Sequence, residues 1–222
     1  MTETNTANTR RLRLTLADTN EDMGRAAAEA ATRVLERHTR ETGTPVLAVF
    51  AAAPSQDSFL RALVERRSRI DWGKVTAFHL DEYPGLPADH PNTFKAYLEE
   101  HIFSQVPIPQ DNVHFIKDAP EGTRDVAAWY AAAFAAGLRD VRAAGGLYIA
   151  FLGVGVNGHI AFNEPGSRIE APEAFLPIRL NQTSIQQQYD DYRDHPNPAA
   201  RYPSLEEVPS EAVTMSVSAI LE

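Results

Sequence analysis

The residues of this chain best suited to moving protons fall in two short stretches, "LDEYPGLPADHPNTFKAYL" beginning at Leu80 and "GVGVNGHIAFNEP" beginning at Gly153. His159 lies in the second. An imidazole titrates close to neutrality and can both give and take a proton when its neighbours hold one tautomer. It follows Asn157 by two residues and precedes Glu164 by five, among Gly153, Gly155 and Gly158, which permit tight turns. In the first stretch Asp81 and Glu82 come directly after the apolar run "VTAFHL". Phe78, Leu80 and Tyr83 around them would desolvate a carboxylate and raise its pKa, which makes it a usable base near neutral pH. Taken singly, each stretch also has an ordinary reading. The histidine could be a solvated loop residue, and "DEYPGLP" has the proline and glycine of a common turn.

A metal reading of "HLDE" with His90 nearby is weaker. The segment offers imidazole and carboxylate, and a strand would put His79 on the same face as Asp81, but the spacing matches no tight ligand signature. No metal is assigned. His38, His101, His114 and His195 sit in helical, strand or proline-rich contexts and receive no role.

The elements that must hold these residues alternate along the chain. Residues 1–11 are polar and unpatterned and read as a disordered tail, leaving 12–222 as one domain, a size that 222 residues with 43% hydrophobic content can support. "RLRLTLAD" alternates apolar and polar residues like an edge strand. The Ala-, Glu- and Arg-rich segment 19–43 reads as a helix opened by capping residues and closed by Gly43. "PVLAVFAAA" is a buried strand and "SQDSFLRALVERR" a helix with Phe59, Leu60, Leu63 and Val64 on one stripe. "VTAFHL" is a third strand. "TFKAYLEEHIFSQV" places Phe94, Tyr97, Leu98 and Ile102 on one helical face, and "NVHFI" is a short fourth strand. Residues 123–146 read as a helix ending in a glycine pair, followed by "LYIAFLGVG", a continuous apolar run of the kind found in central parallel strands. The alternation predicts an α/β fold, a mostly parallel sheet with helices on both faces. Ligands of such folds bind beyond the carboxyl ends of the strands. Three polar loops meet that description: "AAAPSQDS", "DEYPGLPADHPN" and "GVGVNGHIAFNEP".

Bulk properties narrow the partners. A net charge of −9 leaves no basic field for a nucleic-acid backbone. With no cysteine there is neither a disulfide nor a thiolate metal site. No apolar segment is long enough for a bilayer, and "MTETNTANTRR" lacks the apolar core of a signal peptide, so the expectation is a cytoplasmic protein outside any membrane.

Together, "DEYPGLPADHP" and "NGHIAFNEP" resemble the paired motifs of the glucosamine-6-phosphate deaminase family of sugar-phosphate isomerases, related in fold to 6-phosphogluconolactonases. The resemblance runs from about the first strand to the C-terminal end. A lactonase would carry an Asp-Gly-His-Thr-type loop in place of "NGHIAFNEP", which favours the deaminase branch. The resemblance implies a Rossmann-like α/β fold and a sugar-phosphate substrate. It implies ring opening, isomerisation between C2 and C1 and release of ammonia, without redox cofactor or metal. It gives Asp81 as the base, His159 as the ring-opening group, Glu164 as the residue orienting that imidazole, and Asn157 beside it as the fourth catalytic position. Ser55, Gln56, Glu82, Tyr83, Gly155 and Gly158 form the expected substrate-binding set. Family members differ in subunit number, which leaves a homo-oligomer open.

Three departures accompany the resemblance. The family's acidic residue two before the histidine is Asn157 here, which replaces a charge that would raise the imidazole pKa by a neutral amide. The phosphate turn after the second strand, commonly Gly-Thr or Gly-Ser rich, reads "AAAPSQDS", where Pro54 removes a backbone donor and Ser55, Gln56 and the next helix N-terminus remain to hold an anion. Finally, "QTSIQQQYDDY" has no match for an expected arginine, and the family's further strand with a phosphate-contacting lysine would lie beyond "AVTMSVSAILE". The expectation is a member lacking its C-terminal part.

Overall fold

The protein is described by a computed structural model covering residues 14–222. The tail expected at 1–11 lies outside the described residues. Helix α1 (Asn20–Glu36) starts at Thr19, whose side chain accepts from the Asp22 N–H, and runs on through a π-helical turn (Arg37–Glu41) to Gly43, at φ 72°. That left-handed conformation is the one glycine adopts cheaply at a helix end. Strand β1 (Val46–Phe50) and helix α2 (Asp57–Glu65) follow, then β2 (Val75–His79), the two-residue β3 (Asp81–Glu82) and the short α3 (Phe94–Leu98). After them come α4 (Val126–Ala143), β4 (Leu147–Phe151), β5 (Phe175–Arg179), α5 (Gln182–Arg193), β6 (Glu211–Met215) and α6 (Val217–Ile220).

The strands form two sheets. One is parallel in the order β2-β1-β4, with Val46 beside Val75 on one side and Leu147 on the other. Because successive residues of a strand point to opposite faces, β1 divides its side chains between two cores. Val46, Ala48 and Phe50 pack with α1, α2 and α3, while Leu47, Val49 and the following Ala51 pack with α4 and α6. Helices therefore cover both faces, as the alternation predicted. On the first face α1 and α2 approach closely at Gly24, where a Cβ would run into Ser58.

The second sheet is antiparallel, in the order β3-β6-β5, and the mostly parallel expectation did not include it. Its edge strand β5 tolerates Pro177 because an edge position need not donate on both sides. The two sheets join at Leu80. Its N–H donates to the Phe50 carbonyl at the end of β1 (3.1 Å), and its carbonyl accepts from the Met215 N–H of β6 (2.7 Å).

Three strand expectations change. Residues 14–17 of "RLRLTLAD" form no strand, and Leu14 and Leu16 point outward, 78% and 85% exposed, because no neighbouring strand pairs with them. "NVHFI" shrinks to a single parallel bridge between Ala77 and Val113, with His114 N–H donating to Ala77 (2.9 Å). The apolar run at β4 lies at an edge of its sheet among the described residues, half-buried, and the centre belongs to β1. No helix among the described residues is long and apolar enough to cross a membrane.

Candidate active site

Asp81 stands where the chain leaves the parallel sheet and enters the antiparallel one. Its β3 partner is Thr214, and Glu82 faces Val213. Adjacent strand residues point in opposite directions, so the two carboxylates meet different fates. Asp81 opens onto a cleft also lined by Ala51–Ala53 beyond β1, by Ser55, and by Gly153 and Gly155 beyond β4. Burial pushes its carboxyl up to about 8, and the charge of neighbouring Glu82 adds to the shift. Unliganded Asp81 is thus mostly protonated at pH 7 and ready to ionise just above it.

Glu82 turns inward and is fully buried. Its carboxylate accepts from the N–H groups of Tyr83 (2.8 Å), Phe94 (3.1 Å) and Lys95 (3.0 Å), closing the free N-terminus of α3 that Thr93 also caps. Burial raises its pKa and these three N–H groups oppose the rise. The residue is a structural anchor and does not line the cleft, contrary to its placement in the substrate-binding set. Tyr83 is likewise buried away from the cleft, its ring packed on Phe94 and Phe162. Those two phenylalanines are the surface that the cleft meets.

The loop that carries His159 folds back on itself. Gly155 donates to the His159 carbonyl (2.9 Å), and Gly158, at φ 86°, donates to the Gly155 carbonyl (2.9 Å). The imidazole lies directly over Gly155, where any Cβ would overlap the ring. Gly155 lines the cleft, while Gly158 serves the turn and does not line it. Behind the ring runs a chain of polar groups. Nδ1 of His159 lies 2.7 Å from Oδ1 of Asn157, whose Nδ2 donates to Glu164 Oε2 (2.8 Å). Asn181, the N-cap of α5, donates to the same Glu164 oxygen through Nδ2 (2.8 Å). Ser184 Oγ, one turn into α5, is 3.2 Å from His159 Nδ1.

This chain assigns the tautomer. An ionised carboxylate only accepts, so Asn157 must present Nδ2 to Glu164 and Oδ1 to the imidazole. Nδ1 therefore carries the hydrogen and Nε2 keeps its lone pair. Burial lowers the His159 pKa and the Glu164 charge, 4.0 Å away, pulls the other way. The ring is neutral near pH 7 and able to accept a proton at Nε2.

Of the predicted residues, Asp81, His159, Gly155 and Ser55 share the cleft, and Asn157 and Glu164 stand behind His159. Gln56 is buried beside Gly153 and does not line the cleft, because its turn directs the side chain under the 153 loop. His79 is no ligand: Nε2 accepts from the Ile116 N–H (2.9 Å), and burial drives its pKa down to about 3. The sequence reading missed Phe94, Phe162, Gln187 and Gln188 as lining residues, and Asn181 and Ser184 as supports. Asn181 could have been recognised as a helix cap from its spacing to Ser184, but nothing local announces that α5 docks against the histidine loop.

Comparison with known proteins identifies the family. The family model for glucosamine-6-phosphate isomerases/6-phosphogluconolactonase matches residues 18–185. The glucosamine-6-phosphate deaminase of Thermoanaerobacter sp. (strain X514) is 28% identical over 204 residues, which cover 91% of this chain and 71% of that protein. Glucosamine-6-phosphate deaminase 1 of Giardia intestinalis is 40% identical over 106 residues, 48% of this chain and 37% of that one. Among solved structures, a monomeric glucosamine-6-phosphate deaminase superposes with a TM-score of 0.74 at 24% identity, covering 95% of this chain and 78% of that chain. The 6-phosphogluconolactonase of Thermotoga maritima does so with a TM-score of 0.62 at 20% identity, over 92% and 76% respectively. At these identities the structural likeness concerns the fold.

Proposed function

Since the chain belongs to the family of glucosamine-6-phosphate isomerases and 6-phosphogluconolactonases, we propose that it is an enzyme of the deaminase branch, converting glucosamine 6-phosphate or an epimer and water to a ketose 6-phosphate and ammonia. The observation that carries this reading is that Asp81 and His159, from two different crossovers, line one cleft with opposite pKa perturbations. Pairs of titratable groups pushed apart in this way suit separate acid and base tasks.

In the proposed sequence His159 takes the hydroxyl proton of the cyclic hemiacetal at Nε2 and returns a proton to the ring oxygen as the ring bond breaks, leaving the open-chain aldehyde. Asn157 and Glu164 hold the ring in the required tautomer and stabilise the transient imidazolium. The ionised Asp81 carboxylate then removes the proton from C2 as the C1 carbonyl oxygen takes one from solvent, generating an enediol-like amine, and delivers its proton to C1 as the nitrogen releases one to solvent. The product is an imine at C2. Water adds across that C=N bond and ammonia departs, leaving the ketone. A single carboxylate serves both carbons because they are adjacent and the proton stays on one face. Ser55 and the start of α2 are where we place the phosphate, and the cytoplasm, where phosphorylated sugars are made, is where we place the enzyme.

The test is ammonia release from glucosamine 6-phosphate and galactosamine 6-phosphate, with hydrolysis of 6-phosphogluconolactone as the comparison. Turnover of an amino-sugar phosphate supports the reading. Hydrolysis of the lactone without ammonia release from either amino sugar would replace it.

A further inference from the structure

Helix α5 buries Ser184, Gln188 and Tyr192 along one face, each a turn beyond the last. Ser184 supports His159. Gln187 fastens the histidine loop, its Oε1 accepting from the Val156 N–H (3.1 Å). Gln188 has neither job. Its side chain lines the cleft with Asp81 and His159, the residue is only 7% exposed, and its Oε1 has no hydrogen-bond partner. Among the described residues it is the one cleft-lining residue with a buried polar atom left unpaired. Buried carbonyl oxygens are almost always paired, and leaving one unpaired is destabilising.

We propose that Gln188 is a substrate contact and that it reads a hydroxyl of the sugar rather than the phosphate. The inference rests on the reading of the cleft as a sugar-phosphate site. The unpaired atom is an acceptor, and phosphate oxygens at neutral pH have little hydrogen to offer it. A sugar hydroxyl is both donor and acceptor, so it satisfies the carboxamide in either orientation of its amide. Charge points the same way. Among the described residues no Lys or Arg lines the cleft beside Gln188, and Asp190 and Asp191, farther along the helix, line a separate depression with Val156, Gln182 and Gln186, so this wall offers no cation to a dianion. The phosphate is left to the opposite wall, at Ser55 and the α2 start, and the sugar lies across the cleft with a hydroxyl toward α5. A site built to pair a hydroxyl discriminates strongly, because a ligand lacking it leaves the amide bare.

The experiment compares wild type with Gln188→Leu and Gln188→Asn, the second keeping an amide but withdrawing it by one methylene. The expected result is a kcat/KM for glucosamine 6-phosphate lowered about ten- to a hundredfold, mainly through KM. Competitive inhibition by inorganic phosphate stays within about twofold, and the melting temperature of the free protein is unchanged or raised, since leucine removes an unpaired carbonyl. Equal weakening of sugar phosphate and inorganic phosphate overturns the proposal, as does an unchanged KM in both variants. If wild type releases no ammonia, the deaminase reading fails by itself, and thermal stabilisation by glucosamine 6-phosphate decides the contact. Stabilisation of wild type that both variants lose supports Gln188. Stabilisation kept by both, or no stabilisation of wild type, overturns it.

Discussion

Oδ1 of Asn157 sits 2.7 Å from Nδ1 of His159 and also accepts from the His159 backbone N–H at 3.1 Å. One neutral amide thus holds both the ring and the main chain of the histidine, and Glu164 acts on the ring through that amide. Where the family resemblance leads one to expect a carboxylate beside the imidazole, this chain has an uncharged spacer. The substitution keeps the orientation and removes a charge that would favour imidazolium.

Asn157→Asp restores that charge and is expected to raise the His159 pKa, since a carboxylate beside the ring favours imidazolium. The imidazole titration followed by NMR checks this. The step that His159 contributes to the acid limb of the rate profile, below that of Asp81, should move upward with it, because Nε2 must be free to accept. An unmoved titration would mean that the aspartate is itself protonated or turned away by Glu164.

In the wild type Asp81 should govern the same acid limb, at a higher pH than His159, because both groups work unprotonated. A base works only when ionised, and its carboxyl titrates near 8, so kcat/KM is expected to rise with pH up to about that value and level off. Asp81→Asn should lower kcat by about a thousandfold.

The same substitution should stabilise the protein, and the sign follows from linkage. The folded pKa of Asp81 lies far above its ordinary value of 3.8, so the folded state binds a proton that the unfolded chain has already lost. Stability from this group is complete below about pH 4 and lost as pH rises through about 8. Asp81→Asn should therefore melt like wild type at pH 4 and above it at pH 8, by a few kcal/mol in unfolding free energy. Equal melting at both pH values would contradict the buried placement of this carboxyl.

Gly155→Ala places a methyl group inside the His159 ring. The ring must leave its position between Asn157 and Ser184, so we expect about a hundredfold loss in kcat from misplacement, with roughly 1–3 kcal/mol of stability lost to overpacking. A crystal structure of the variant would show the displaced imidazole.

Glu82→Gln separates anchor from ligand. It weakens the cap on α3 while preserving shape, and should lower stability by about 1–3 kcal/mol with KM nearly unchanged. A large rise in KM without loss of stability would return Glu82 to the substrate.

Much of this was legible locally. The alternation of apolar runs with amphipathic segments gave β1, α1, α2 and α4, because burial periodicity is a property of neighbouring residues. Asp81 and His159 stood out by residue type, but the roles given to them and to Glu164 came from the resemblance of the two motifs to a known family, because each stretch alone also reads as an ordinary turn. Strand rank was not. "LYIAFLGVG" is as apolar as "PVLAVFAAA", yet β1 takes the centre and β4 the edge, since pairing partners are set by chain crossovers far away in sequence. β5 escaped notice because Pro177 argues against a strand until its edge position is known.

The sequence by itself determined which side chains could move protons and on which loops they lie. Only the tertiary structure decided how they divide the work. The pleat at β3 sends Asp81 into the cleft and its neighbour Glu82 into a helix cap. The docking of α5, more than twenty residues away, brings Asn181, Ser184 and Gln188 to the histidine loop. Local propensity specifies segments, but which groups lose water together depends on long-range packing, and that loss of water sets the pKa values on which the chemistry turns.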